Sequence, residues 1–102
     1  MSYQRHHAII VTGSLSYNYF EIAHSMAISI FPIVSGLYPS MCNFYWSFFI
    51  PPDGSKEGWA DSLEGDKRRD EFISFLNEKE LTFVEVQYGD ENGEDKILRC
   101  GG

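Results

Sequence analysis

The sequence predicts an α/β sandwich of the α+β class, in which a four-stranded sheet carries two helices on one face. Three observations support this prediction. β-rich runs alternate with two helical segments in the order β-α-β-α-β-β, and an Asn-Gly turn pair separates the last two runs, which predicts a C-terminal β-hairpin. Hydrophobic residues make up 43% of the chain and aromatic residues 16%, which is enough for one core. We therefore expect residues 1–102 to form a single domain.

The first half of the chain predicts a strand, a helix and a second strand. Residues 8–12 are a short β-rich run closed by a glycine. A helix is expected to begin with Asn18 as its cap and Glu21 completing a capping box, and to end before Pro32. Residues 43–50 predict the second strand, whose side chains alternate between two faces. One face carries Phe44, Trp46, Phe48 and Ile50, and the other carries Tyr45, Ser47 and Phe49.

The second helix is predicted over residues 63–78, with Asp61 as its cap. It contains the basic triplet Lys67-Arg68-Arg69, in which Arg69 is expected to flank the buried face. Acidic residues lie one turn away, so a salt-bridged solvent face is the favoured interpretation. A contact with a phosphate or an acidic partner is the alternative.

The end of the chain predicts the hairpin. Residues 81–88 and 95–100 are β-rich and flank Asn92-Gly93, which is typical of a two-residue turn. If these two residues are the centre of the turn, Gln87 lies opposite Leu98 and Glu85 lies opposite Cys100.

The charge of the chain is distributed unevenly. Its net charge is −7, from 8 Lys+Arg and 15 Asp+Glu, and all of it lies in residues 51–102. Phosphates attract positive surfaces, so we expect no nucleic-acid partner. Residues 22–52 carry no formal charge, but Pro and Gly interrupt them, so we expect no membrane span. No signal-peptide pattern or cysteine motif is visible, which favours a cytoplasmic location.

Few side chains are candidates for chemistry. His24 could act as a base beside Cys42, or bind a metal together with His6 or His7 and a carboxylate. No third orienting group and no metal-ligand spacing accompany them. We therefore assign no catalytic residue, no metal site and no cofactor, and an enzyme is the less favoured class.

The aromatic residues of the second strand are more informative. With helices on one face of the sheet only, either the Phe44 set or the Tyr45 set is uncovered, and an uncovered aromatic face is typical of partner contacts. The alternative is that residues 33–42 or Tyr3 cover it. The adjacent segment 51–59 reads Pro-Pro-Asp-Gly-Ser-Lys-Glu-Gly-Trp, a loop of the kind that carries function on a rigid scaffold. The candidate partner-binding residues are Tyr45, Phe49, Asp53, Lys56 and Trp59.

Four stretches of sequence together resemble a family of small hypothetical proteins of tailed bacteriophages and prophages. They are HHAIIVT (6–12), PPDGSKEGW (51–59), EGDKRR (64–69) and VEVQYGD (84–90). The similarity covers most of the chain. It implies a phage-encoded protein acting in the cytoplasm of a bacterial host, and it carries no known activity.

The sequence therefore predicts a small acidic binding protein that engages a host or phage protein, in a host-takeover or anti-defence role. One alternative is an enzyme or small-ligand-binding domain with its site near His24 and the 51–59 loop. Another is a homo-oligomeric structural component, such as a homodimer, that uses the same aromatic face.

Overall fold

The computed structural model describes residues 6–52, 60–89 and 95–102. These residues form one sheet whose neighbouring strands are all antiparallel, in the order β2-β3-β1-β4-β5. The α+β class is confirmed, but four strands is wrong, because the described residues hold five. The elements are β1 (His6–Ser14), α1 (Asn18–Ile30), β2 (Tyr38–Pro39), β3 (Tyr45–Ile50), α2 (Ala60–Glu78), β4 (Thr82–Tyr88) and β5 (Lys96–Gly101).

The strand that the sequence did not predict is β2, which lies in the segment interpreted as a connection. Tyr38 pairs with Ser47, and Pro39 pairs with Trp46. The strand is two residues long and forms one edge of the sheet, where a proline is tolerated because its missing N–H is not needed by a further neighbour. A two-residue strand has no periodicity for a sequence pattern to reveal.

Both helices pack on the same face of the sheet. The Phe48 ring lies between the rings of Phe20 and Phe72, with centroid distances of 5.6 and 6.4 Å, and so joins β3 to both helices. This layer is the hydrophobic core. It is formed by Ile9, Val11, Phe20, Ala23, Ala27, Phe31, Phe48, Ile50, Phe72, Ile73, Leu76, Leu81 and Phe83.

The helix starts differ from the predicted caps. Tyr17 occupies the cap position of α1 and makes no side-chain cap hydrogen bond, so the predicted Asn18–Glu21 capping box is wrong. The Tyr17 hydroxyl instead donates to the Lys79 carbonyl at 2.7 Å, which ties the start of α1 to the end of α2. Helix α2 begins at Ala60, before the predicted cap Asp61. The predicted end of α1 before Pro32 is confirmed.

Strands β4 and β5 are antiparallel as predicted, but their register is not the predicted one. Glu85 lies opposite Arg99 and Gln87 lies opposite Lys96. The pairing skips Leu98, because a bulge inserts one extra residue into β5 between the partners of Glu85 and Val86. The Asn92-Gly93 pair lies outside the described residues. As a result, Arg99 shares the helix-facing side of the sheet with Glu85.

Candidate functional site: the open face of the sheet

The sheet has a second face on which neither helix packs, and we call it the open face. Strand register places Tyr45 and Phe49 on this face, with Phe49 opposite Ile10 and Tyr45 opposite Ser14 of β1. The exposed fractions of Tyr45 and Phe49 are 47% and 43%. The predicted alternation along β3 therefore holds for these two residues, and their role in binding stays a prediction. The described residues of the open face are His6, Ala8, Ile10, Thr12, Ser14, Tyr38, Tyr45, Ser47, Phe49, Thr82, Val84, Val86, Tyr88, Ile97 and Cys100.

A shallow groove of about 360 Å³ crosses the open face. Its lining combines small, half-buried side chains with exposed rings and one exposed isoleucine. This combination makes the surface uneven as well as apolar, so the groove can receive a protruding side chain. The open-face residues of the lining are Ala8, Ile10, Tyr38, Ser47, Phe49, Val86 and Tyr88.

The open face carries no Asp, Glu, Lys or Arg among its described residues. Two of its hydroxyls satisfy each other, since Thr12 Oγ1 and Ser47 Oγ are hydrogen-bonded at 2.7 Å. The His6 and Tyr88 rings lie 5.3 Å apart at one end. The face thus offers apolar and aromatic surface together with hydroxyl groups, of which the Thr12 and Ser47 pair is already hydrogen-bonded.

The orientation of β4 is the least expected feature of the sheet. Val84, Val86 and Tyr88 point to the open face, whereas Glu85 and Gln87 point toward the helices and are buried. Phe83, near the start of the strand, follows the usual pattern and lies in the core. From Val84 to Tyr88 the arrangement is the opposite of the one that a strand on a hydrophobic core normally shows. The sequence shows this alternation plainly, but it does not show which of the two sets the helices cover.

The inward-facing Glu85 is accommodated by a partly buried ion cluster that local sequence patterns do not reveal. Arg99 donates from Nε to Oε1 at 2.6 Å and from Nη2 to Oε2 at 3.0 Å. Arg69 of α2 approaches the same carboxylate, with its Nε 3.6 Å from Oε2. Arg99 also donates from Nη1 to Asp70 at 2.8 Å. The hydrogen bond to Glu85 is the main reason that the pKa of Arg99 is raised, so this guanidinium stays charged.

The basic triplet on α2 is therefore divided between two roles. Arg69 is buried and engages Glu85 and Asp66, in agreement with its predicted place beside the buried face. Arg68 lies at the surface, with its Nε 3.7 Å from Glu64 Oε1 one turn away. The salt-bridged interpretation fits these two arginines, and a cluster of three free cations does not.

His24 links helix α1 to the segment that follows it and to the core ring of Phe48. Its Nε2 donates to the Ser35 carbonyl at 2.8 Å, and its ring lies 4.8 Å from that of Phe48. These contacts hold the connection after α1 against the helix layer. His24 does not line the groove. Within the described ranges no three His, Cys, Asp or Glu side chains are grouped to hold a metal ion. Asp53, Lys56 and Trp59 lie outside the described residues.

Comparisons of the chain with protein-family models, with curated proteins and with solved structures found no match. The resemblance to phage proteins accordingly stays a prediction. In the part of the chain that the structure describes, neither helix is long and apolar enough to cross a membrane.

Proposed function

We propose that this chain is a non-enzymatic binding protein whose open face docks on another protein. The observation that carries the proposal is the reversed alternation in the second half of β4, which follows the core residue Phe83. Val84 and Val86 face outward while Glu85 is buried at the cost of recruiting two arginines. Departures from the core pattern are expected where a surface serves a function rather than stability.

The apolar side chains of the open face supply the energy for docking. Each square ångström of apolar surface removed from water contributes about 25 cal/mol. Aromatic residues at the centre of a contact carry a large share of its energy, because they bury much surface with few rotatable bonds. Tyr45 and Phe49 are both aromatic and exposed on this face, which supports their assignment as partner-binding anchors.

The charge of the chain favours a basic partner. Its net charge of −7 attracts a positively charged protein over a distance of about one Debye length and accelerates encounter at low salt. The resemblance to phage proteins suggests the setting, which is the cytoplasm of an infected bacterium. The partner there is a host or phage protein, and the outcome of binding is host takeover or interference with a defence system.

A matched pair of variants tests the docking surface. Ile10→Lys places a charge on the open face, and Ile28→Lys places the same charge on the outer side of α1. The two isoleucines are exposed to similar extents, 43% and 57%. Tagged wild type and both variants are expressed in bacteria, captured, and compared by quantitative mass spectrometry of bound proteins.

We expect a stoichiometric partner of the wild type to be lost from Ile10→Lys, reduced for Tyr45→Ala and Phe49→Ala, and retained by Ile28→Lys. Circular dichroism and thermal unfolding of each variant separate loss of binding from loss of fold. Retention of the partner by folded Ile10→Lys would contradict the assignment of the open face.

A further inference from the structure

We infer that the polypeptide occupying the open face is a second copy of this chain, in a two-fold dimer with the two sheets packed face to face. This inference rests on the proposed function for the docking surface, and it assigns to that surface a second copy of the chain in place of a basic host or phage protein. In such a contact each copy contributes the same patch, and both helix layers lie on the outside.

Charge selects the open face for self-association. Two chains with a net charge of −7 repel each other, and this repulsion opposes contact least at surfaces without acidic side chains. Within the described residues, the open face is such a surface. Glu64, Asp66 and Asp70 lie on α2, and Glu85 and Arg99 lie on the helix-facing side of the sheet. In a face-to-face dimer, two sheets separate the charged groups of one copy from those of the other. Salt screens charges that lie more than about 8 to 10 Å apart.

The shape of the open face is suited to pairing with itself. A two-fold contact needs both a recess and a protrusion within one patch. The groove is the recess, and the exposed rings of Tyr38 and Tyr45 lie on the same face. A ring of one copy can therefore enter the groove of the other while the reciprocal contact forms at the symmetric position.

The area is sufficient for a specific dimer. The four longer strands, spaced about 4.8 Å apart and rising about 3.3 Å per residue, give a face of roughly 450 Å² in projection. Protruding side chains make the accessible area larger than the projection. Two such faces reach the ~1,000 Å² of total buried area at which specific interfaces begin.

The edge strand β5 is the competing site for self-pairing, and its features disfavour that mode. Lysine is a residue that natural edge strands use against such pairing, and β5 carries Lys96. The bulge at Leu98 also interrupts the ladder that such pairing would extend. The opposite edge, β2, is two residues long and contains Pro39.

Sedimentation velocity tests the inference, over about 1 to 200 μM protein. The samples are wild type, Ile10→Lys, Ile28→Lys and Leu98→Lys, the last adding a charge at the β5 edge. We expect a wild-type dimer within this range, a loss of affinity of at least ~30-fold for Ile10→Lys, and unchanged dimers for Ile28→Lys and Leu98→Lys. Raising NaCl from about 0.1 to 0.5 M should preserve or strengthen the dimer, because the two copies carry charge of the same sign.

A wild-type chain that stays monomeric at the highest concentration overturns the inference. So does a dimer that persists in folded Ile10→Lys, or one that Leu98→Lys dissociates. If the chain is monomeric but captures another protein in an Ile10-dependent manner, this inference fails and the proposed function stands. If it neither dimerises nor captures a protein through Ile10, both fail.

Discussion

Glu85 and Arg99 face each other across β4 and β5 as a bidentate ion pair, with N–O distances of 2.6 and 3.0 Å. The Glu85 side chain is 1% exposed, so protein groups rather than solvent compensate its charge. Arg69 of α2 approaches the same carboxylate, and Asp70 of α2 binds Arg99. This cluster therefore fastens the C-terminal hairpin to the second helix at a place where the core is not apolar.

Replacing the buried carboxylate should be costly. Glu85→Gln removes a charge that compensates Arg69 and Arg99, and we expect the free energy of unfolding to fall by about 2–4 kcal/mol. The matched control is Glu64→Gln, which removes a surface i,i+4 pair with Arg68 and should cost less than about 0.5 kcal/mol. Urea unfolding at neutral pH measures both, and equal effects would show that the buried cluster contributes no more than a surface pair.

The geometry of Arg99 should matter as well as its charge. Arg99→Lys keeps a cation but loses the two-pronged contact with Glu85, and we expect a loss of about 1 kcal/mol, since Arg99 is half-exposed. Arg68→Lys, whose single ion-pair contact is 3.7 Å long, should stay within about 0.5 kcal/mol of wild type.

The pH dependence of the free energy of unfolding should also differ between the wild type and Arg99→Lys. The pKa of Arg99 is raised above its ordinary value, chiefly by the hydrogen bond to Glu85. A group whose pKa is raised by folding stabilises the folded chain at every pH below its ordinary pKa. This stabilisation is lost only when the pH rises through the pKa in the folded chain. The contribution of Arg99 is therefore constant from about pH 5 to 10. The deficit of Arg99→Lys should grow above about pH 10, where a lysine loses its proton. A deficit that stays flat to pH 11 in urea unfolding would contradict this.

Two phenylalanines four residues apart in the chain separate the core from the surface. Phe48 contacts the rings of Phe20, His24 and Phe72, and Phe48→Ala should lower the free energy of unfolding by about 3–5 kcal/mol. Phe44 is 94% exposed, and Phe44→Ala should change it by less than about 0.5 kcal/mol. Thermal or urea unfolding of both variants checks the assignment of the core, which similar losses would refute.

The backbone at Phe44 offers a separate test. Its φ is 61°, a conformation that costs residues other than glycine about 1 kcal/mol. Phe44→Gly should therefore be more stable than Phe44→Ala by about 1 kcal/mol, although position 44 does not pack on the core. Measuring both against wild type isolates the backbone effect, and a glycine variant less stable than the alanine variant would argue against the left-handed conformation.

Local patterns predicted several parts of the molecule. Apolar and β-prone runs indicated α1, α2 and four of the strands, and alternation along residues 43–50 placed Tyr45 and Phe49 on the face opposite Phe48. These features depend on neighbours a few positions away, so the sequence shows them directly. The caps were wrong because several residues near a helix start can satisfy the same rule, and only the folded chain selects the first turn.

The candidate site itself depended on the tertiary structure. Alternation along residues 82–88 defines two faces, one with Val84 and Val86 and one with Phe83, Glu85 and Gln87. Each face holds apolar residues, so the pattern does not state which one the helices cover. The structure shows that the helices cover the face of Phe83 and Glu85. Glu85 is compensated there by Arg69 of α2 and Arg99 of β5, which meet it only when the sheet and the helix layer assemble. By itself the sequence determined the two helices, the four longer strands and their two-sided character. Only the tertiary structure decided that Glu85 faces the helices and that Val84 and Val86 lie on the open face, because a carboxylate can be buried only where its counter-charges are brought to it.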